Sequence, residues 1–218
     1  MVYVFDSRLG EWIMKNSMPD DPIPGTKHGL LTVRALRGRS VSGILWSDLR
    51  ALEALETLLA LAAPHTVRYA FRRMGERAHS GQSAHYAGLA FDIGHKLDSQ
   101  EQMRLASLAL RRCGFERVEP LVTTPGWLHV EKQIEQPVCM SGGYPSLCQG
   151  ARGVHVFVLQ DALLLQGMAA GGLTGCFSAA TAADVRRFQN VRGLPVTGEV
   201  DCATWRALMQ TPANRCKD

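Results

Sequence analysis

The sequence predicts an α+β protein, a small antiparallel sheet with flanking helices, followed by a C-terminal three-helix domain. Three observations carry this. Residues 45–133 alternate short strand-like runs with two amphipathic helical stretches. A Pro-, Gly- and Ser-rich stretch, Gln136-Pro137 through Ser146, then breaks the pattern. Beyond it the apolar period is helical only. The expected division is a domain over 1–133 with an irregular segment at 1–45, a linker at 134–147, and a helical domain over 148–212.

The elements follow in order. Pro19, Pro22, Pro24, Gly25 and Gly29 punctuate the first 45 residues, and no sustained period is visible there. Ser47 is a candidate N-cap for a helix with leucines at 49, 52, 55, 58, 59 and 61, closed by Pro64. Strand-like runs occupy Val67–Phe71 and Leu89–Gly94, separated by a polar loop, Arg72–Gln82. Ser99 with Gln102 forms a capping box for a second helix, which Gly114 ends. Short strands are expected near Phe115–Glu119 and Trp127–Glu131. In the last third, Val154–Gly167, Ala179–Val191 and Ala203–Met209 read as helices. They make a unit of about 65 residues, close to the smallest size that sustains one core.

Composition narrows the class. The 218 residues are 46% apolar and 20% charged, which excludes intrinsic disorder, collagen-like repetition and a coiled coil. No apolar run approaches the roughly 20 residues of a membrane span. Met1–Asn16 carries Asp6, Arg8, Glu11 and Lys15 through its apolar positions, so no secretory h-region is expected there. The net charge of +4 is spread over scattered arginine pairs with no aromatic ladder between them, which argues against a nucleic-acid partner. A mild preference for anionic polymers, cell-wall material included, is compatible with it. Five of the six cysteines, Cys139, Cys148, Cys176, Cys202 and Cys216, lie after residue 138, and no C-x-x-C pair exists. A four-cysteine zinc knuckle is therefore not expected, and disulfides in the C-terminal third remain open.

The chemistry-bearing stretch is Ser83-Ala84-His85-Tyr86-Ala87-Gly88-Leu89-Ala90-Phe91-Asp92, with Trp127-Leu128-His129-Val130-Glu131 further on. Strand alternation puts Leu89, Phe91 and Ile93 on one face and Ala90 and Asp92 on the other. In the later strand Leu128 and Val130 share a face, opposite Trp127, His129 and Glu131. With both strands in one sheet and apolar faces inward, Asp92 and His129 look into one cleft. Gly88 lets the chain bend so that His85 reaches the same point. Two imidazoles and one carboxylate are the ligand count of a catalytic zinc centre, which keeps its fourth position for water. An isolated pair of this kind also arises by chance, as ordinary hydrogen-bonded polar residues.

The pattern Ser83-x-His85-x-x-Gly88-x-Ala90-x-Asp92 followed by Trp127-x-His129 resembles the zinc motif of the M15 peptidases. These are D-Ala-D-Ala carboxypeptidases, dipeptidases and peptidoglycan endopeptidases, akin to the hedgehog domain. The resemblance covers about residues 45–133. It implies His85, Asp92 and His129 as zinc ligands and Ser83 as a substrate-positioning residue. It also implies that Arg72, in Tyr69-Ala70-Phe71-Arg72, pairs with a substrate carboxylate or the developing oxyanion. The sequence departs from the family at Gly126, where many relatives carry the general base three residues before the last ligand. Glu119 resembles the base of other branches and is the expected catalytic base. Glu131, on the face of His129, is the alternative, or a partner to a ligand imidazole.

The last third resembles the peptidoglycan-binding type 1 module through Gly153-Val154, Val158-Leu159-Gln160, Phe188-Gln189, Gly193-Leu194-Pro195-Val196-Thr197-Gly198 and Thr204-Trp205. Together the two resemblances imply a zinc-dependent D-Ala-D-Ala carboxypeptidase acting on peptidoglycan stem peptides at the bacterial cell wall, anchored by its C-terminal domain. A monomer is expected. The alternatives are an endolysin-like endopeptidase, favoured by the lack of a visible export signal, and a non-catalytic zinc-containing wall binder.

Overall fold

The structure is a computed structural model; it describes residues 1–76 and 81–210. The described chain divides into two compact units, one of residues 1–76 and 84–134, the other of residues 81–83 and 135–210.

In the first unit, β1 (Val2–Asp6) pairs antiparallel with β2 (Glu11–Lys15) and parallel with β3 (Leu45–Asp48), in the order β2-β1-β3. The second sheet is wholly antiparallel, in the order β4 (Val67–Tyr69), β5 (Ala90–Ile93), β7 (Leu128–Glu131), β6 (Arg117–Val118). The expectation of one small sheet is therefore corrected to two, and that of an irregular 1–45 to a strand pair and a short helix α1 (Val33–Arg37). The physical reason is scale. Each N-terminal strand has five residues, too few for a period to show, and their pairing is fixed by Phe5 and Tyr3 closing on Trp12.

Helix α2 (Leu49–Leu61) begins at Asp48, whose carboxylate accepts from Arg50 N. Ser47 is not the cap. It lies buried in β3 and its hydroxyl donates to Gly88 O at 2.6 Å, because the strand runs into the helix with no intervening loop. Leu52, Leu55 and Leu58 are fully buried, each contributing about 2 kcal/mol of burial free energy. Glu56 on this helix is also buried and accepts from the backbone N–H groups of Lys27, His28 and Leu30, which holds the Pro- and Gly-punctuated segment in place.

Helix α3 (Ser99–Arg111) is capped by Asp98, whose carboxylate accepts from Glu101 N, rather than by the expected Ser99–Gln102 box. Gln102 instead turns inward with Leu105 and Ala109, and its amide donates to Thr124 O and Trp127 O. That pins the approach to β7. On the buried side of the second sheet, Phe91, Ile93, Leu128 and Val130 are fully enclosed, as alternation predicts.

The second unit holds α4 (Val154–Leu165), α5 (Ala179–Val191) and α6 (Cys202–Met209). Helix α4 is buried from Val154 to Leu163 and forms the centre. Val185, Phe188, Trp205 and Leu208 close on it. Two buried glutamines organise the loops. Gln160 accepts from Thr174 N and Gly175 N and donates to Cys176 O. Gln189 accepts from Gly198 N and donates to Glu199 O. Residues 135–148 are tied down by the Cys139–Cys202 disulfide, by Trp205 Nε1 donating to Pro145 O at 2.7 Å, and by the Tyr144 ring against Trp205. Cys113, Cys148 and Cys176 are free thiols, and Cys216 lies outside the described residues.

Candidate metal centre

Strands β5 and β7 set two of the three groups. Their register puts Asp92 opposite His129, so both side chains leave the same face, as do Ala90 and Glu131 two pairs along. The third group arrives on a 3₁₀ turn, Ala84–Ala87, just before β5. Gly88 makes that approach possible: its φ is +65°, and a Cβ there would sit 2.2 Å from Trp46 O. Trp46 Nε1 in turn donates to Tyr86 O.

His85, Asp92 and His129 converge, with one ligand atom from each lying within 4.8 Å of the others. His129 Nδ1 is 2.7 Å from Asp92 Oδ1, and His85 Nε2 is 3.6 Å from the same oxygen. Both imidazoles are more than nine-tenths buried. The second ring nitrogens are also committed. His85 Nδ1 lies 2.8 Å from Ala70 O, which can only accept, so Nδ1 carries a hydrogen and Nε2 is the ring nitrogen turned to Asp92. His129 Nε2 lies 3.1 Å from Glu131 Oε1, and Arg117 holds the other oxygen of Glu131 at 3.3 Å.

This environment moves the titrations. Burial alone would favour neutral forms, but hydrogen bonds to Asp92 and Glu131 outweigh it and hold the His129 imidazole up to about 9. Asp92, although burial pushes it up, is held well below the usual carboxylate range by hydrogen bonds from His129 and His85. Glu131 is lowered too, burial being outweighed by His129 and Arg117.

The donor set fits a tetrahedral divalent ion. Two ligands at ~2.1 Å from such an ion stand about 3.4 Å apart, and the observed 2.7 and 3.6 Å separations bracket that value. Each imidazole also has the outer partner, a carbonyl or a carboxylate, that metal-bound histidines use to fix their orientation.

The other expected site residues are placed as follows. Glu119 continues β6 by one residue, and its N–H donates to His129 O at 3.2 Å. With Arg117 opposite Glu131, this register carries the Glu119 side chain to the His129 face. Glu131 contacts His129 directly. The N–H of Arg72 donates to His85 O, and its guanidinium stacks on Tyr69 at 4.9 Å. Ser83 falls in the other unit, where its carbonyl accepts from Tyr144 Oη. Gly126 has φ +82° and its carbonyl accepts from Leu97 N, so the turn excludes the side chain that the family pattern would put there. Sequence reasoning missed two supports of the site, the Ala70 carbonyl and Gln102. Gln102 was detectable, being a polar residue in register with Leu105 and Ala109 on the inner face of α3.

Comparison with known proteins bears on the helical unit. The family described as "Putative peptidoglycan binding domain" matches residues 152–208, that is α4 to α6 with their loops, and leaves residues 1–151 outside the match. No curated protein matches the chain. Among the described residues no helix is long and apolar enough to cross a membrane. The C-terminal unit is thus similar to peptidoglycan-binding domains, a likeness that points to peptidoglycan as partner and to association with the cell wall.

Proposed function

We propose that the chain is a zinc-dependent peptidase that hydrolyses peptidoglycan stem peptides, acting as a D-Ala-D-Ala carboxypeptidase held at the wall by its C-terminal unit. The observation that carries this reading is the convergence of His85, Asp92 and His129 in a chain that also contains a peptidoglycan-binding match. A zinc ion bound there would supply Lewis acidity and lower the pKa of a bound water to about 7. The chain's own residues divide the remaining work. Glu119, on the face of His129 and with no hydrogen bond or ion pair to its carboxylate among the described residues, accepts the water's proton and returns it to the leaving amine. Glu131 is already engaged by His129 Nε2 and Arg117, so it orients the imidazole rather than moving protons. Arg72, whose backbone is joined to that of His85, docks the terminal carboxylate. Ser83 is assigned to substrate positioning on the motif alone.

The test is incubation of the zinc-loaded full chain with defined muropeptides and mass analysis of the products. Free D-Ala is the expected product. Peptide fragments without free D-Ala would replace the carboxypeptidase with an endopeptidase. No hydrolysis by wild type, with zinc and wall binding retained, would leave a non-catalytic wall binder, the reading to which Gly126 lends support.

A further inference from the structure

Beside the metal cluster lies a group of three cations, of which only Arg72 has been given a role above. The guanidinium carbons of Arg39, Arg68 and Arg72 stand 5.1, 6.0 and 4.9 Å from the centre of the same ring, Tyr69. Arg68 also lies 5.5 Å from the centre of Trp127. Tyr69 is the cross-strand neighbour of Asp92, and Trp127 precedes His129 by two residues, so the group borders the metal-facing side of the sheet.

Among the described residues the group holds no anion of its own, whereas other arginines of this unit do. Arg8, Arg34, Arg104 and Arg117 are each paired with a carboxylate at 2.6–3.3 Å. Arg39, Arg68 and Arg72 have no carboxylate partner among the described residues, although three like charges around one ring repel one another. Their placement is also built rather than incidental. Gly38 lies against the Arg68 and Tyr69 backbone, and Phe71 N donates to Leu36 O. Glu76 grips the turn that carries Arg39, accepting from Ser40 Oγ and Val41 N, both at 2.8 Å. The N-terminal segment thereby delivers a cation to the edge of the site.

We propose that Arg39 and Arg68 form, next to Arg72, an anion-binding ledge that reads a second carboxylate of an acidic stem peptide. The inference rests on the peptidase reading for the identity of its ligand and deepens it. Arg72 takes the C-terminal carboxylate; the forked guanidinium groups of Arg39 and Arg68 face the next acidic group along the chain, with Tyr69 beside both and Trp127 beside Arg68. A stem peptide offers two such groups, the α-carboxylate of its γ-linked glutamate and the free carboxylate of diaminopimelate.

The test is calorimetric titration of the chelator-treated full chain, so that binding is read without turnover. The probes are synthetic L-Ala-γ-D-Glu-diaminopimelyl-D-Ala-D-Ala and its two forms amidated at either internal carboxylate. Amidation at one position should weaken binding about tenfold, the scale of one charge-assisted contact. The Arg39→Gln, Arg68→Gln double variant, with an unchanged unfolding temperature because both side chains are exposed, should bind acid and amide forms alike. Equal binding of all three peptides by wild type, or discrimination surviving in the double variant, would overturn the ledge. In the zinc-loaded protein the double variant should raise KM with kcat kept. Failure of the hydrolysis reading would show separately, as absence of released D-Ala while the calorimetric discrimination stands.

Discussion

Two sets of buried polar side chains, one in each unit, are bonded in contrasting ways. In the helical unit Gln160 and Gln189 are neutral amides whose partners include backbone groups of the loops that follow their helices, N–H to one end and C=O to the other. In the sheet unit His129 lies between two carboxylates, with a second imidazole ring centre 5.1 Å away. The first arrangement is complete in itself and fixes loop shape. The second is balanced only while a positive charge sits among the carboxylates, whether a proton or a metal ion. Buried polar residues that answer backbone are architecture; those that answer other titratable side chains form a site for exchanging cations.

Several substitutions would break or sharpen that contrast. The largest effect should come from Glu119→Gln, which removes the proposed base without touching a proposed ligand: D-Ala release should fall by about 10²–10⁴-fold with zinc content unchanged. A small effect there, and a large one with Glu131→Gln, would reverse the assignment of base and orienting residue. On the architectural side, Cys139→Ser opens the 63-residue connection closed by the disulfide. Chain entropy puts the loss at about 4 kcal/mol, read as a lower unfolding transition for the helical unit with zinc binding by the sheet unit intact. Gln189→Leu should cost about 2–3 kcal/mol, because it strands the Gly198 N–H and Glu199 C=O, and it should lower peptidoglycan retention only through unfolding. Glu131→Gln should weaken zinc affinity by roughly 10–100-fold, the usual consequence of removing a ligand's outer partner.

The pH response of the metal-free protein should differ between the units as well. His129 is held up to about 9 in the folded state against its ordinary 6.5. Its contribution to stability is therefore fully present below about 6.5 and lost as the pH rises through 9. Thermal unfolding of the metal-free chain should show this loss in the sheet unit between those values. A transition temperature flat across that range would mean that the imidazole is not charged between its carboxylates.

How much of this was legible in the sequence follows from the range of the forces involved. The faces of β5 and β7 and the convergence of Asp92 with His129 follow from a period of two, which four residues suffice to display. The helices α4 to α6 follow from long apolar periods with Gly and Pro at their ends. Less was visible where one long-range bond decides. Ser47 gives up a cap because it meets Gly88 O, Gln102 leaves a capping box to reach Thr124 and Trp127, and Glu56 gathers three N–H groups from a segment that carries no period of its own. The arginine group at Tyr69 was hidden for the same reason. Arg39 and Arg68 are 29 positions apart and meet only because α1 and β4 are neighbours.

Zinc stoichiometry tests the central contrast most directly. Full-length protein loaded with zinc and dialysed should retain one ion per chain, and Asp92→Ala and His129→Ala should each abolish retention while the helical unit still binds peptidoglycan. Metal-free wild type after loading, or equal retention by the two variants, would contradict it.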